Sequence, residues 1–340
     1  MHFHRTRAAA AAIAAIGLAL VPGLSTSPAS ASTPVLGFYS PAAITFAGNN
    51  AFVANEYANS VTEFDASTDT LVRTLRAPSY GFNEPDAIAI TGNYVFVANS
   101  RGNSVTEFNA STGALVRVLG AKGYGLNIGP GNTTIATAGN NVFIASDYNN
   151  KVIEVSASSG ALLRTLSAKS YGFSLPSAIV VSGPNVFVLS RAGTAVTEFN
   201  ASTGALVRLL NVKNYGWSAM AVSGSNVFVT NTNNNSVTEV NASSGALLRT
   251  LSAKSYGFNG PNGIVVSGSN VFVTNGGSNT VTEFNASTGA LVSVLSAQSY
   301  GFNGVTSIAV SGANAFVTSL YGNSVTEFNA STGALVSVLK

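Results

Sequence analysis

Seven copies of one unit, four short apolar runs within each copy, and a scarcity of charge together predict an all-β fold: a seven-bladed β-propeller of four-stranded antiparallel blades. The repeat is clearest in a Val-(Thr/Ile)-Glu-(Phe/Val) segment. Its glutamate recurs as Glu63, Glu107, Glu154, Glu198, Glu239, Glu283 and Glu327, at spacings of 44, 47, 44, 41, 44 and 44 residues. Charged residues make up 9% of the chain, against roughly 25% in an ordinary soluble domain. Blades that pack on a neighbour at each side bury both sheet faces, which explains strands that are apolar with little alternation.

The elements follow in chain order. Residues 1–31 read as a secretory signal: basic Arg5 and Arg7, an apolar run from Ala8 to Val21, and the small-residue cleavage pattern Ala29-Ser30-Ala31. The run is shorter than the ~20 residues that span a bilayer, so no stable membrane insertion is expected. The propeller is assigned to residues 32–340. In the sixth copy the four runs are Gly263-Ile264-Val265-Val266, Val271-Phe272-Val273-Thr274, Val281-Thr282-Glu283-Phe284 and Ala290-Leu291-Val292-Ser293-Val294-Leu295, separated by Gly/Asn/Ser turns. Gly37-Phe38-Tyr39-Ser40-Pro41-Ala42-Ala43-Ile44 aligns with Gly81-Phe82-Asn83-Glu84-Pro85-Asp86-Ala87-Ile88. The mature chain therefore begins inside an inter-blade loop, and every blade is expected to be complete, with no shared closing strand.

Three repeated features read as scaffold. An arginine stands ten residues after each of the first five glutamates (Arg73, Arg117, Arg164, Arg208, Arg249), and Ser293 and Ser337 hold that place in the last two copies. Across a tight hairpin the offset predicts cross-strand ion pairs, expected to be exposed and to contribute roughly 0–1 kcal/mol each. Asn-Ala-Ser at Asn109, Asn200, Asn241, Asn285 and Asn329 matches a glycosylation acceptor but suits the hairpin turn it occupies. The Tyr-Gly element at Tyr80, Tyr124, Tyr171, Tyr215, Tyr256 and Tyr300 is expected to pack between blades.

Composition excludes several chemistries. There is no cysteine, and the only histidines, His2 and His4, lie in the leader. Disulfides, thiolate nucleophiles and histidine bases are thereby excluded from the mature chain. Without Arg5 and Arg7 the balance is 14 basic to 13 acidic residues, a net charge of +1, and nucleic acid is not an expected partner.

Loops between second and third strands share one face with the inter-blade loops, and on that face the copies diverge. Both length changes fall there, as do Glu56, Glu84, Asp86, Arg101, Asp147, Lys151 and Arg191. Departures from a repeat concentrated on one side suggest a binding surface. Candidate ligand-binding residues are Asp86, Asn99, Arg101, Asp147, Arg191, Asn262, Asn275 and Thr306; Asp86, Ser177, Asn262 and Thr306 should crown the central channel. Asp86, Asp147 and Glu56 are the candidate oxygen ligands should Ca²⁺ or Mg²⁺ bind, although no cofactor is required.

The run from Pro261 to Val266, with Val271–Asn275 and Asn285–Gly289, resembles the NHL and YVTN-type repeats of extracellular bacterial propellers and is similar to the streptogramin (virginiamycin B) lyase-like group. The resemblance implies a secreted propeller. In those lyases a histidine often precedes the inner-strand Gly-Ile, whereas here Asp86, Ser177, Asn262 and Thr306 stand at that place. The expected function is non-catalytic binding of an extracellular protein, glycan or small molecule by a monomer. The alternative is a divalent-metal-dependent lyase or lactonase-like hydrolase at the channel mouth.

Overall fold

Each repeat folds into one antiparallel sheet whose strand order follows the chain, giving seven four-stranded blades. The computed structural model describes residues 35–76, 78–128, 135–167, 171–193, 195–212, 219–252 and 254–340. The leader, Tyr215, most of the three-residue insertion near Ile128 and most of the deletion near Trp217 lie outside them. In blade 1 the strands are Pro41–Ala47, Asn50–Asn55, Ser60–Asp65 and Thr70–Leu75. Blades 2 to 7 repeat the plan over 85–120, 135–166, 176–211, 220–251, 261–295 and 305–339.

Turn chemistry sets the hairpins. The side-chain oxygen of Asn109 accepts the backbone N–H groups of Ser111 and Thr112, and Gly113 closes the turn at φ 72°, so Asn-Ala-Ser acts here as a turn element. The core lies between blades. One cluster joins Phe52, Val61 and Leu75 of blade 1 to Val95, Val97 and Phe108 of blade 2. The ring closes the same way, Phe316, Val325 and Leu339 of blade 7 packing with Leu36, Phe38, Val53 and Phe64. Leu36 and Gly37 both donate to the Lys340 carbonyl oxygen, yet the last sheet keeps four strands and borrows none. The described tyrosines of the repeat pack between blades: Tyr80 stacks on Phe82, meets Phe108 edge-on and donates its hydroxyl to the Gly113 carbonyl of the next blade.

The Glu/Arg pairs form with the expected register but are not exposed. The Glu63, Glu107, Glu154, Glu198 and Glu239 side chains are buried, and their arginines are only a quarter to a third exposed. Each third strand lies inside its blade, and each arginine reaches over the carboxylate to the third turn of the following blade. Arg73 donates to the Ser111 carbonyl at 2.8 Å, Arg164 to Ser202 at 2.7 Å and Arg249 to Ser287 at 2.6 Å. The pairs are therefore inter-blade ties. Where arginine is absent, the Ser293 and Ser337 hydroxyls donate to Glu283 and Glu327 at 2.8 and 3.1 Å. Burial pushes the carboxyls of Glu63, Glu107, Glu154, Glu198 and Glu239 upward, their arginines opposing the rise; Glu107 reaches about 6.

Candidate functional site

The face formed by inter-blade loops and second-to-third-strand loops is built on buried asparagines. Asn55, Asn99, Asn231 and Asn275 end their second strands, and each donates to the hydroxyl of a third-strand threonine (Thr62, Thr106, Thr238, Thr282) at 2.9 Å. Their burial is nearly complete. The carbonyl oxygens of Asn55, Asn99 and Asn275 accept N–H groups of the preceding inter-blade loop, from Tyr39, Asn83 and Asn259. Ser146, Ser190 and Ser319 serve the same loops from the other blades. Asn99 and Asn275 therefore lie inside the blades, beneath the face rather than on it.

A second set of asparagines ties neighbouring loops and went unrecognised in the sequence. Asn59, Asn103, Asn150, Asn235, Asn279 and Asn323 all adopt positive φ, and each accepts an N–H from the next inter-blade loop: Glu84, Ile128, Leu175, Gly260, Gly304 and Ser40. The signal is an asparagine four residues beyond the second-strand end in six of the seven blades, Thr194 holding the place in blade 4, and the left-handed region is one that Asn tolerates.

Around the channel the inner-strand candidates engage the next blade. Asn262 donates to the Val305 carbonyl at 2.8 Å and accepts the Thr274 hydroxyl at 2.7 Å. Thr306 meets the Thr318 hydroxyl at 2.8 Å and the Pro41 carbonyl at 3.4 Å. Ser177 is buried and Asp86 half-buried.

The irregular charges pair across loops. Arg101, 69% exposed, contacts Glu84 at 2.6 Å. Arg191 lies 3.6 Å from Asp147, which is fully buried. Glu56 is held above the ordinary carboxylate range by burial and by the negative charge of Glu84. Among the described residues no group of three or more acidic side chains gathers as a metal-binding set, so Asp86, Asp147 and Glu56 do not converge as one.

Exposed apolar surface divides sharply by residue type. Apart from Val35, every large aliphatic side chain exposed among the described residues sits on a fourth strand, such as Leu71, Val116, Leu163 and Leu247. Every exposed tyrosine among the described residues sits in the loops of the channel face: Tyr39, Tyr57, Tyr148 and Tyr321, at 51 to 73%. These four do not belong to the Tyr-Gly element, and the sequence reading passed them over.

Comparisons with known proteins agree with this architecture. Solved structures with the same fold include the computationally designed Ika8 protein (TM-score 0.62, 15% identity, covering 85% of this chain and 83% of that one). Kuenenia stuttgartiensis hydrazine synthase matches at TM-score 0.66 and 16% identity, covering 89% of this chain and 99% of that one. The β-propeller domain of Myceliophteria thermophila Cps50 (Swd1) matches at 0.67 and 14%, covering 85% and 96%. At these identities the likeness concerns the fold alone. Among curated proteins none matches the sequence. The family model described as outer membrane protein assembly factor BamB matches residues 30–251, well over half of the chain. With its seven four-stranded blades, the chain belongs to this BamB-like propeller family.

Proposed function

We propose that the protein is a secreted, non-catalytic propeller that binds an extracellular partner through its channel face. The observation that carries this reading is the asymmetry of the two faces. One repeats the same Asn-Ala-Ser-Thr-Gly turns, whereas the other concentrates the non-repeated charges and all the exposed tyrosines among the described residues. The family's description as an outer membrane assembly factor supports a binding or scaffolding role outside the cytoplasm. The leader-like residues 1–31 support export. Within the family we take the repeat to be of the NHL/YVTN kind. Lyase chemistry is not part of the proposal, since Asp86, Ser177, Asn262 and Thr306 occupy the place where such enzymes carry histidine.

The family label also names the quinone PQQ, a planar tricarboxylate that requires several converging cations. The described cations of this face, Arg101, Lys151 and Arg191, stand on separate blades, two of them already paired with Glu84 and Asp147, so the described residues do not form the converging set that this cofactor needs. The test is Arg101→Glu, which reverses an exposed charge; because its partner Glu84 is only 17% exposed, a thermal melt first confirms that the variant is folded. Loss of partner capture by this folded variant is expected, with capture unchanged when Ser331 on the opposite face is replaced by Glu. Equal capture by both variants would refute the use of this face.

A further inference from the structure

The residue two places beyond each second-strand end projects from the same loop in every blade. It is Tyr57, Arg101, Tyr148, Ala192, Asn233, Gly277 and Tyr321 in blades 1 to 7. Because blade 7 adjoins blade 1, the four large planar groups form one continuous arc, Tyr321, Tyr57, Arg101 and Tyr148, over blades 7, 1, 2 and 3. Blades 4 to 6 present small or non-aromatic side chains there. Tyr39 extends the arc at the closing seam: its N–H is held by Asn55 of blade 1, and the N–H of the next residue, Ser40, by Asn323 of blade 7.

Two of the planar groups, Tyr321 and Arg101, are positioned rather than loosely displayed. A Cβ placed on Gly304 would collide with the ring of Tyr321, so that ring lies against the Gly304 backbone while the side chain remains 73% exposed. One face of the ring is supported and the other is open. Arg101 is pinned by Glu84, which presents its guanidinium as a fixed plane with spare N–H donors.

We propose that this arc binds an extended neutral glycan, the tyrosine rings stacking on the C–H faces of successive sugars while Arg101 and the loop asparagines hydrogen-bond their hydroxyls. This deepens the binding reading given above and rests on it. An apolar protein partner fits less well, because the exposed aliphatic side chains lie on the fourth strands and not on this face. An anionic glycan is disfavoured by Glu56, Glu84 and Asp86, which stand in the same blades as the arc.

The experiment is isothermal titration of the full chain with soluble β-glucan, chitin and mannan oligosaccharides of increasing length, and with hyaluronate as an anionic comparison. Affinity for a neutral oligosaccharide is expected to rise with chain length. Tyr57→Ala and Tyr321→Ala should each weaken it about tenfold or more, and Asn233→Ala less than twofold. Thermal melts confirm that each variant is folded, and Tyr321→Phe, which keeps the ring, should retain most of the affinity. Failure of every neutral glycan to bind, tighter binding of hyaluronate, or binding indifferent to both tyrosine substitutions would overturn the proposal. If no glycan binds but a protein partner is lost on Arg101→Glu, the glycan assignment fails while the channel-face reading stands.

Discussion

At four of the five seams that carry the arginine, the third-turn glycine and the arginine of the preceding blade form a lock, Gly245 against the blade of Arg208 being the exception; the lock can be tested at the seam of Gly204. A Cβ on Gly204 would lie 2.5 Å from Arg164 Nη1 and 3.0 Å from its Cδ, whereas a Cβ on Gly333 meets nothing nearer than Leu295 Cδ2 at 3.4 Å. The difference arises because blade 6 carries Ser293 where blade 3 carries Arg164. Both glycines have positive φ, 71° and 70°, so alanine at either costs about 1–2 kcal/mol of backbone strain. At Gly204 alanine must also displace Arg164 from Glu154, 2.8 Å away, and from the Ser202 carbonyl. Breaking a fully buried pair costs about 3–5 kcal/mol; with Arg164 28% exposed, about 2 is a fair figure, and the hydrogen bond adds about 1. Gly204→Ala should therefore cost about 4–5 kcal/mol and Gly333→Ala about 1–2. In a domain of this length each kcal/mol moves Tm by about 1–2 °C, giving losses of about 7 °C and about 2 °C by calorimetry. In an Arg164→Ser background, Gly204→Ala should fall back to the smaller value, a coupling of about 2–3 kcal/mol in the double-mutant cycle. Equal losses at the two glycines, or no coupling, would refute the lock.

The buried carboxyls predict a pH dependence. Glu107 holds its proton up to about 6 against an ordinary value of 4.5, so the folded state keeps a proton that the unfolded chain releases. Its contribution to stability is greatest below pH 4.5 and falls as pH rises through about 6, and the Tm difference between wild type and Glu107→Gln should therefore grow more negative for wild type over that window; the opposite trend would contradict the burial argument. Glu327, raised by burial and then by the charge of Asp69, titrates in the same sense, and Asp69→Gly should reduce its share. Adding Ca²⁺ or Mg²⁺ against chelator should leave Tm unchanged, because the described acids do not converge; a rise following RT ln(1 + [L]/Kd) would return the metal-dependent alternative to Asp86, Asp147 and Glu56.

Blade number, strand order, the phase of closure and the Glu/Arg register were legible because a sevenfold repeat averages away local ambiguity. Burial of those pairs was not: a ten-residue offset reports which strands meet, not that the next blade's turn covers them. Asn99 and Asn275 looked like face residues because they end a strand, yet the threonine two places into the following strand draws each amide inward. The exposed tyrosines were missed for the converse reason. They are not repeated, and their shared loop position emerges only when the blades are set side by side around a closed ring.

The ring is shut by a contact of the kind found at the other described seams, since Asn323 binds Ser40 as Asn59 binds Glu84, and Leu36 and Gly37 meet Lys340 end to end. A propeller fastened by a shared strand has one seam that cannot be cut without splitting a sheet. Here the order in which the blades are written along the chain is separable from the order in which they stand in the circle. Joining Lys340 to Leu36 and reopening the chain in another inter-blade loop would leave all seven sheets whole, so the molecule behaves as a cyclic word that can be read from several starting letters.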